Sequence, residues 1–146
     1  MPAATPIDTA APPQGPGPLP APGSSSHPND VSTAGLTDVA LQYLALAHQH
    51  DLWLVSGHRP GNVAGTSRPS DHASGKAIDV ANGSRPTPEM QAYADRVRGM
   101  PGVKYVIYDN RIASERDDWA WRPYTHPSGQ DSPTLRHEDH VHVSFH

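Results

Sequence analysis

The chain has 146 residues, a formal net charge of −4 and no cysteine. That length suits one compact domain, and an acidic balance without a basic block speaks against nucleic acid as a partner. Without cysteine there is neither a disulfide nor a thiolate metal site, so any zinc must be held by histidine and carboxylate.

Residues 1–30 carry nine of the 17 prolines. Beyond Met1, the stretch has only Ile7 and Leu19 as large apolar side chains. Such a segment buries too little surface to offset its ordering entropy. It reads as a disordered Pro-rich tail or an interdomain linker, with the domain proper over 31–146. The first residues lack the charged start and apolar core of a signal peptide. No run reaches the apolar length of a membrane span.

Leu36, Val39, Ala40, Tyr43, Leu44 and Ala47 recur at helical spacing, which predicts a helix over 37–50 capped by Thr37 or Asp38. Leu52 to Val55 is short and apolar, as in a buried strand. A Gly/Pro/Ser-rich loop follows from Gly57 to Gly75, and loops of that length are usually functional or disordered. Lys76 to Ala81 reads as a second strand. Pro86 to Met100 reads as a helix, with Thr87 as cap, Pro88 in the first turn and Met90, Tyr93, Ala94 and Val97 as its apolar stripe. Val103 to Tyr108 is a strand rich in Val, Ile and Tyr, and Arg111 to Ala113 adds a short one. Glu115 to Arg136 has little periodicity and reads as a covering loop. His140 to Phe145 is the last strand. The order implies an α+β domain with a small, mainly antiparallel sheet and flanking helices.

Alternation on the last strand puts His140, His142 and Ser144 on one face, and Val141, Val143 and Phe145 on the other, the natural core face. Two imidazoles aligned on a rigid strand make a platform for a metal; the plainer alternative is a pair of surface histidines. On the second strand Asp79 lies between Ala77 and Ala81. A carboxylate in an apolar strand is costly to bury unless it is paired or bound to a cation. Gly75 lets the chain turn between His72 and Asp79, so both could converge on one ion, although Asp79 could instead cap a turn or pair with an arginine. Three ligands with a fourth position open describe a catalytic zinc site, and His140 beside it could act as general base and acid.

The spacing Ser70-x-His72-x-x-Gly75-x-Ala77-x-Asp79 resembles the S-x-H-x-x-G-x-A-x-D signature of the D-alanyl-D-alanine carboxypeptidase family, within a wider group that includes lysostaphin-type peptidases and hedgehog domains. Ser56-Gly57-His58-Arg59-Pro60 is similar to that family's S-G-Y-R-P segment, with His58 in place of the tyrosine. Asp139-His140-Val141-His142-Val143-Ser144-Phe145 resembles the D-H-V-H-V-S-F ending of an actinobacterial and phage branch, as do Lys104 to Tyr108 and Arg111-Ile112. The resemblance covers about residues 35–145. It implies a hedgehog/peptidase-like fold, one Zn²⁺ held by His72, Asp79 and His142, His140 as the catalytic histidine, and Arg59 as the cation for substrate or oxyanion. It also implies peptidoglycan as partner. Asp139 has the spacing of a general base in other branches, so it is either the base or the group that orients His140.

Trp119 and Trp121 are candidate floor residues of a substrate groove, against the commoner fate of packing the core. Asp71 neighbours a ligand, and His48, His50, His126 and His137 read as helix-end or loop histidines. The expected function is hydrolysis of peptide bonds in peptidoglycan stem peptides or cross-links through a metal-activated water. The alternative is a zinc-bearing cell-wall-binding module without turnover. The expected protein is a monomer, acting as a module of an exported protein or as a phage lysin released at lysis.

Overall fold

The computed structural model describes residues 19–62, 69–125 and 137–146. Its framework is α+β: a six-stranded antiparallel sheet with two helices. Helix α1 spans Asp38–Gln49, with the Thr37 side chain accepting from the Ala40 N–H as its cap. Strand β1 (Trp53–Ser56) follows at once. The loop beyond it contains a short 3-10 turn, Asp71–Ser74, before strand β2 (Ala77–Ala81). Helix α2, Pro88–Val97, begins where Thr87 caps the Met90 N–H and Pro88 fills the first turn. It stops three residues short of Met100: Arg98 is already extended, Gly99 has positive φ, and Pro101 lacks an N–H to continue. Strands β3 (Val103–Tyr108), β4 (Arg111–Ser114), β5 (Arg122–Pro123) and β6 (Val141–Phe145) complete the sheet. The stretch after Ser114, expected as plain loop, thus holds a two-residue edge strand.

The strand order is β1-β2-β6-β3-β4-β5, so the C-terminal strand lies in the middle. It pairs antiparallel with β2 on one side and β3 on the other. Val141, Val143 and Phe145 face the helices and join Tyr43, Leu44, Met90, Tyr93, Ile78, Val80 and Val106 in one core. Each large apolar side chain fully buried there contributes about 1.5–3 kcal/mol. Tyr43 and Tyr93 reach this core without stranding their hydroxyls, which donate to the carbonyls of Pro101 and Tyr43 at 2.6 and 2.8 Å. Among the described residues no helix is long and apolar enough to cross a membrane.

Composition gives residues 1–30 no packing face, yet part of that stretch lies against the domain. Leu19 packs on the core and His27 stacks on Trp53 at 4.9 Å. Asp30 accepts from the backbone N–H of Leu54 (2.8 Å) and of His27 (3.0 Å), and pairs with His48 Nε2 at 3.0 Å. The other nitrogen of His48 meets Ser25 Oγ at 2.6 Å. Apart from the Leu19 packing, these contacts are made by polar or aromatic groups, most of them far apart in sequence, so no apolar pattern announces them.

Two predictions follow from this framework. Burial alone would raise the Asp30 pKa, but the hydrogen bonds from Leu54, His48 and His27 outweigh it and hold the carboxyl below its ordinary value of 3.8. Asp30→Ala leaves the Leu54 N–H without its partner and should lower unfolding stability by about 1–3 kcal/mol in urea titrations at neutral pH. Because the folded pKa is depressed, that contribution is complete above 3.8 and disappears as the pH falls through the folded value, so the two proteins should converge in acid. Gly75 has φ +73°, and a Cβ there would run into the carbonyl oxygen of Gly35. Gly75→Ala should therefore destabilise by more than the about 1–2 kcal/mol of the left-handed conformation alone, read as a fall in melting temperature.

Candidate metal centre

Asp79 and His142 face each other across the β2–β6 ladder as register partners. Their side chains meet with His142 Nδ1 2.9 Å from Asp79 Oδ1. His72 arrives from the 3-10 turn, whose first residue is capped by Ser70: its Oγ accepts from the His72 backbone N–H at 3.1 Å. Gly75 closes the turn in the left-handed region, as the sequence between His72 and Asp79 implies. His72, Asp79 and His142 are 2, 6 and 8% exposed, and one ligand atom from each lies within 4.8 Å of the others. This buried group could hold a metal ion.

The imidazole of His72 shows how. Its Nδ1 is 2.8 Å from the Gly57 carbonyl, so Nδ1–H donates there and Nε2 carries the lone pair. Nε2 is buried and makes no hydrogen bond, while Asp79 Oδ2 lies 3.3 Å away. A lone pair facing a carboxylate in the interior is unfavourable unless a cation or a proton sits between them. His142 offers Nδ1 to the same point, and its Nε2 lies 2.8 Å from Ser144 Oγ. The donor set therefore fits a divalent ion: two neutral nitrogens, one carboxylate, and partners that hold both rings.

The electrostatics agree. Burial pushes the Asp79 pKa up, but the imidazoles of His142 and His72, with the charge of His140 and His142, more than offset it and hold the carboxyl well below the ordinary range. Burial lowers the His142 pKa and outweighs the opposing pull of Asp79, which favours the neutral ring that a metal requires.

His140 sits at the edge of the group. Its Nε2 is 3.6 Å from Asp79 Oδ1, and its Nδ1 is 2.7 Å from Asp139 Oδ1. Arg59 reaches Nη2 to 3.8 Å from Asp79 Oδ2 with its side chain 61% exposed. Arg59, Asp79, Asp139 and His140 line an open cleft whose other wall is Val55, Ser56, Ala81, Gly83 and Ser84. His58, in the position of the family's tyrosine, contacts the Ala73 carbonyl through Nε2 at 3.2 Å and so braces the turn that carries His72.

The structure does not bring the two tryptophans to this cleft. Trp121 donates its indole N–H to Asp95 at 2.8 Å and lies between the guanidinium groups of Arg98 and Arg111. Trp119 packs on the core beside Gly99, and its carbonyl accepts from Arg98. Both are bound to the surroundings of α2, and neither lines this cleft. His126 falls outside the described residues. His137, read from sequence as a loop histidine, lies in the turn before β6 and stands 4.6 Å from the His140 ring and 5.6 Å from the His142 ring, centre to centre. Its position depends on a positive φ of 58° and on its carbonyl accepting from the Asp109 N–H at 2.7 Å. The only hint in the sequence is that it precedes the HxH pair by one turn-sized step.

No curated protein and no solved structure matches the chain. One family does: the profile of the VldE C-terminal domain matches residues 33–137, more than two thirds of the chain and the stretch that supplies His72, Asp79 and Arg59. On that match the chain belongs to the VldE C-terminal domain family.

Proposed function

We propose that this protein is a zinc metallopeptidase that hydrolyses peptide bonds of peptidoglycan stem peptides or cross-links. The observation that carries the reading is the buried, unpartnered Nε2 of His72, set against Asp79 Oδ2 and joined by His142. Two imidazoles and one carboxylate suit zinc, and three protein ligands leave a position open, as catalytic rather than structural zinc sites do. Bound there, zinc supplies Lewis acidity for a scissile carbonyl and acidifies water at neutral pH.

The protein's own residues supply the rest. Asp139 accepts from His140 Nδ1–H, which leaves Nε2 with its lone pair on the side of the ligand group. That arrangement supports His140 as the group that takes a proton from the attacking water and returns it to the leaving amine, with Asp139 holding the ring. Arg59 lines the cleft with its guanidinium exposed, 3.8 Å from Asp79, within the same cleft where a substrate carboxylate or a developing oxyanion would lie. The peptidoglycan substrate rests on the resemblance of Ser70 to Asp79 and Asp139 to Phe145 to the carboxypeptidase motifs.

Purified protein should hold about one zinc per chain by elemental analysis, as a single three-ligand site requires. His72→Ala should lose it, and His140→Ala should keep it. A chain that takes up no stoichiometric metal even when zinc is supplied would remove the reading at its base. Digestion of purified peptidoglycan, followed by mass spectrometry of the fragments, should show peptide-bond cleavage that a chelator abolishes and zinc restores. Zinc-loaded protein that binds the polymer and releases no product would make it a binding module instead.

On a synthetic stem peptide, His140→Ala should lower kcat by roughly 10²- to 10⁴-fold with zinc still bound. Arg59→Lys should also be damaging, because a planar two-pronged donor becomes a point charge. A rise in KM alone assigns Arg59 to ground-state binding, and a fall in kcat assigns it to the oxyanion. Near-normal turnover in zinc-bearing His140→Ala would transfer the base role to Asp139.

A further inference from the structure

Asp71 precedes a ligand and is not used by the chemistry above, yet its carboxylate ends a chain of polar groups that begins on another ligand. His142 Nε2 lies 2.8 Å from Ser144 Oγ in a fully buried setting. Ser144 is the register partner of Tyr105 on β3, so the two side chains stand on the same face of neighbouring strands. The Tyr105 hydroxyl in turn lies 3.4 Å from Asp71 Oδ2. Lys104 Nζ holds both oxygens of that carboxylate at 3.3 Å. The Tyr105 ring also lies nearly parallel to the His142 ring, at 5.7 Å and 18°.

Proton bookkeeping along this chain has one consistent solution once Nδ1 of His142 is a ligand. The ring is then neutral, with its single proton on Nε2, which must donate to Ser144 Oγ. Ser144, having accepted there, donates its own proton to the Tyr105 oxygen. Tyr105 donates to Asp71, an acceptor at both oxygens while ionised. Every group gives one hydrogen bond in the same direction, toward a carboxylate anchored by Lys104. A carboxylate reached directly by a ligating histidine is a common way to fix its tautomer; here two hydroxyls, on β6 and the neighbouring β3, extend the reach to a carboxylate on the 3-10 turn.

We infer that Asp71, Tyr105 and Ser144 form a positioning relay that fixes the tautomer and ring plane of His142, so that Nδ1 is presented to the metal. The inference rests on the metal reading above and concerns affinity rather than turnover. Ser144 and Tyr105 belong neither to the His72, Asp79 and His142 group nor to the lining of the cleft, so a purely structural role would alter stability and leave the zinc constant of the folded protein alone.

The test is zinc affinity of the full chain, measured by competition with a chromophoric chelator, for wild type, Ser144→Ala, Tyr105→Phe and Asp71→Asn. Ser144→Ala should bind zinc about 10- to 100-fold more weakly. Tyr105→Phe and Asp71→Asn should shift the constant in the same direction by smaller factors. Tyr105→Phe keeps the ring stacked on His142 and removes one oxygen, so it decides the matter even if Ser144→Ala does not fold. Nitrogen-15 spectra of the zinc-loaded protein should place the His142 proton on Nε2, with faster exchange in Tyr105→Phe. Wild-type affinity in folded Ser144→Ala and Tyr105→Phe, or a His142 proton found on Nδ1 in the zinc-loaded chain, overturns the relay and leaves the metal site standing. A wild type that binds no zinc overturns the metal reading itself.

Discussion

The pairing of Asp79 with His142 across the β2–β6 ladder is the constraint on which the rest of the molecule turns. Side chains alternate along a strand, so a slip of one residue would send Asp79 and His142 into the helix-facing core and bring Val80 and Val143 out. The register is held from the other side of the sheet, where Ile78, Val80, Val141, Val143 and Phe145 are buried against α1 and α2. One face of two neighbouring strands thus specifies the alignment, and the opposite face inherits a carboxylate and an imidazole at contact distance. The apolar core is what places the polar site.

That site is built half on rigid structure and half on a turn. Asp79 and His142 stand on central strands and have little freedom. His72 comes from a four-residue 3-10 turn that depends on Ser70, on the left-handed Gly75 and on the Gly57 and Ala73 carbonyls held by His72 and His58. Gly75 leaves room for the Gly35 carbonyl, which ties this turn to the segment entering α1. Precision in a ligand carried on a turn comes from such backbone contacts, because the turn has no ladder to fix it.

The match to the VldE C-terminal domain family spans 33–137 and stops before His140 and the strand that carries His142. The family's name states no reaction. The chemical reading comes from the donor set and from the motif resemblance, which share His72, Asp79 and His142. His72 and Asp79 lie inside the matched region, whereas His142 and Ser144, in the strand that β2 and β3 enclose, and the Asp139–His140 pair just before that strand lie beyond it.

Local rules made much of the framework legible before any coordinates. Thr87 followed by Pro88 marks the start of α2, and alternation in β6 separates His142 and Ser144 from Val141, Val143 and Phe145. Each of these signals acts within a few residues, through caps, fixed φ or the pleat, so the chain states them directly. The strand order, with the last strand in the middle, depends on which edges pair, and that is decided by burying both faces of β6 at once. Contacts between groups far apart in sequence were beyond reach for the same reason: Asp30 on the Leu54 N–H, Trp121 on Asp95, and Asp71 reaching toward His142 through Tyr105 and Ser144. A hydrogen bond between residues thirty or sixty positions apart leaves no periodicity in the chain. It exists only when the packed core brings the two groups to the same place.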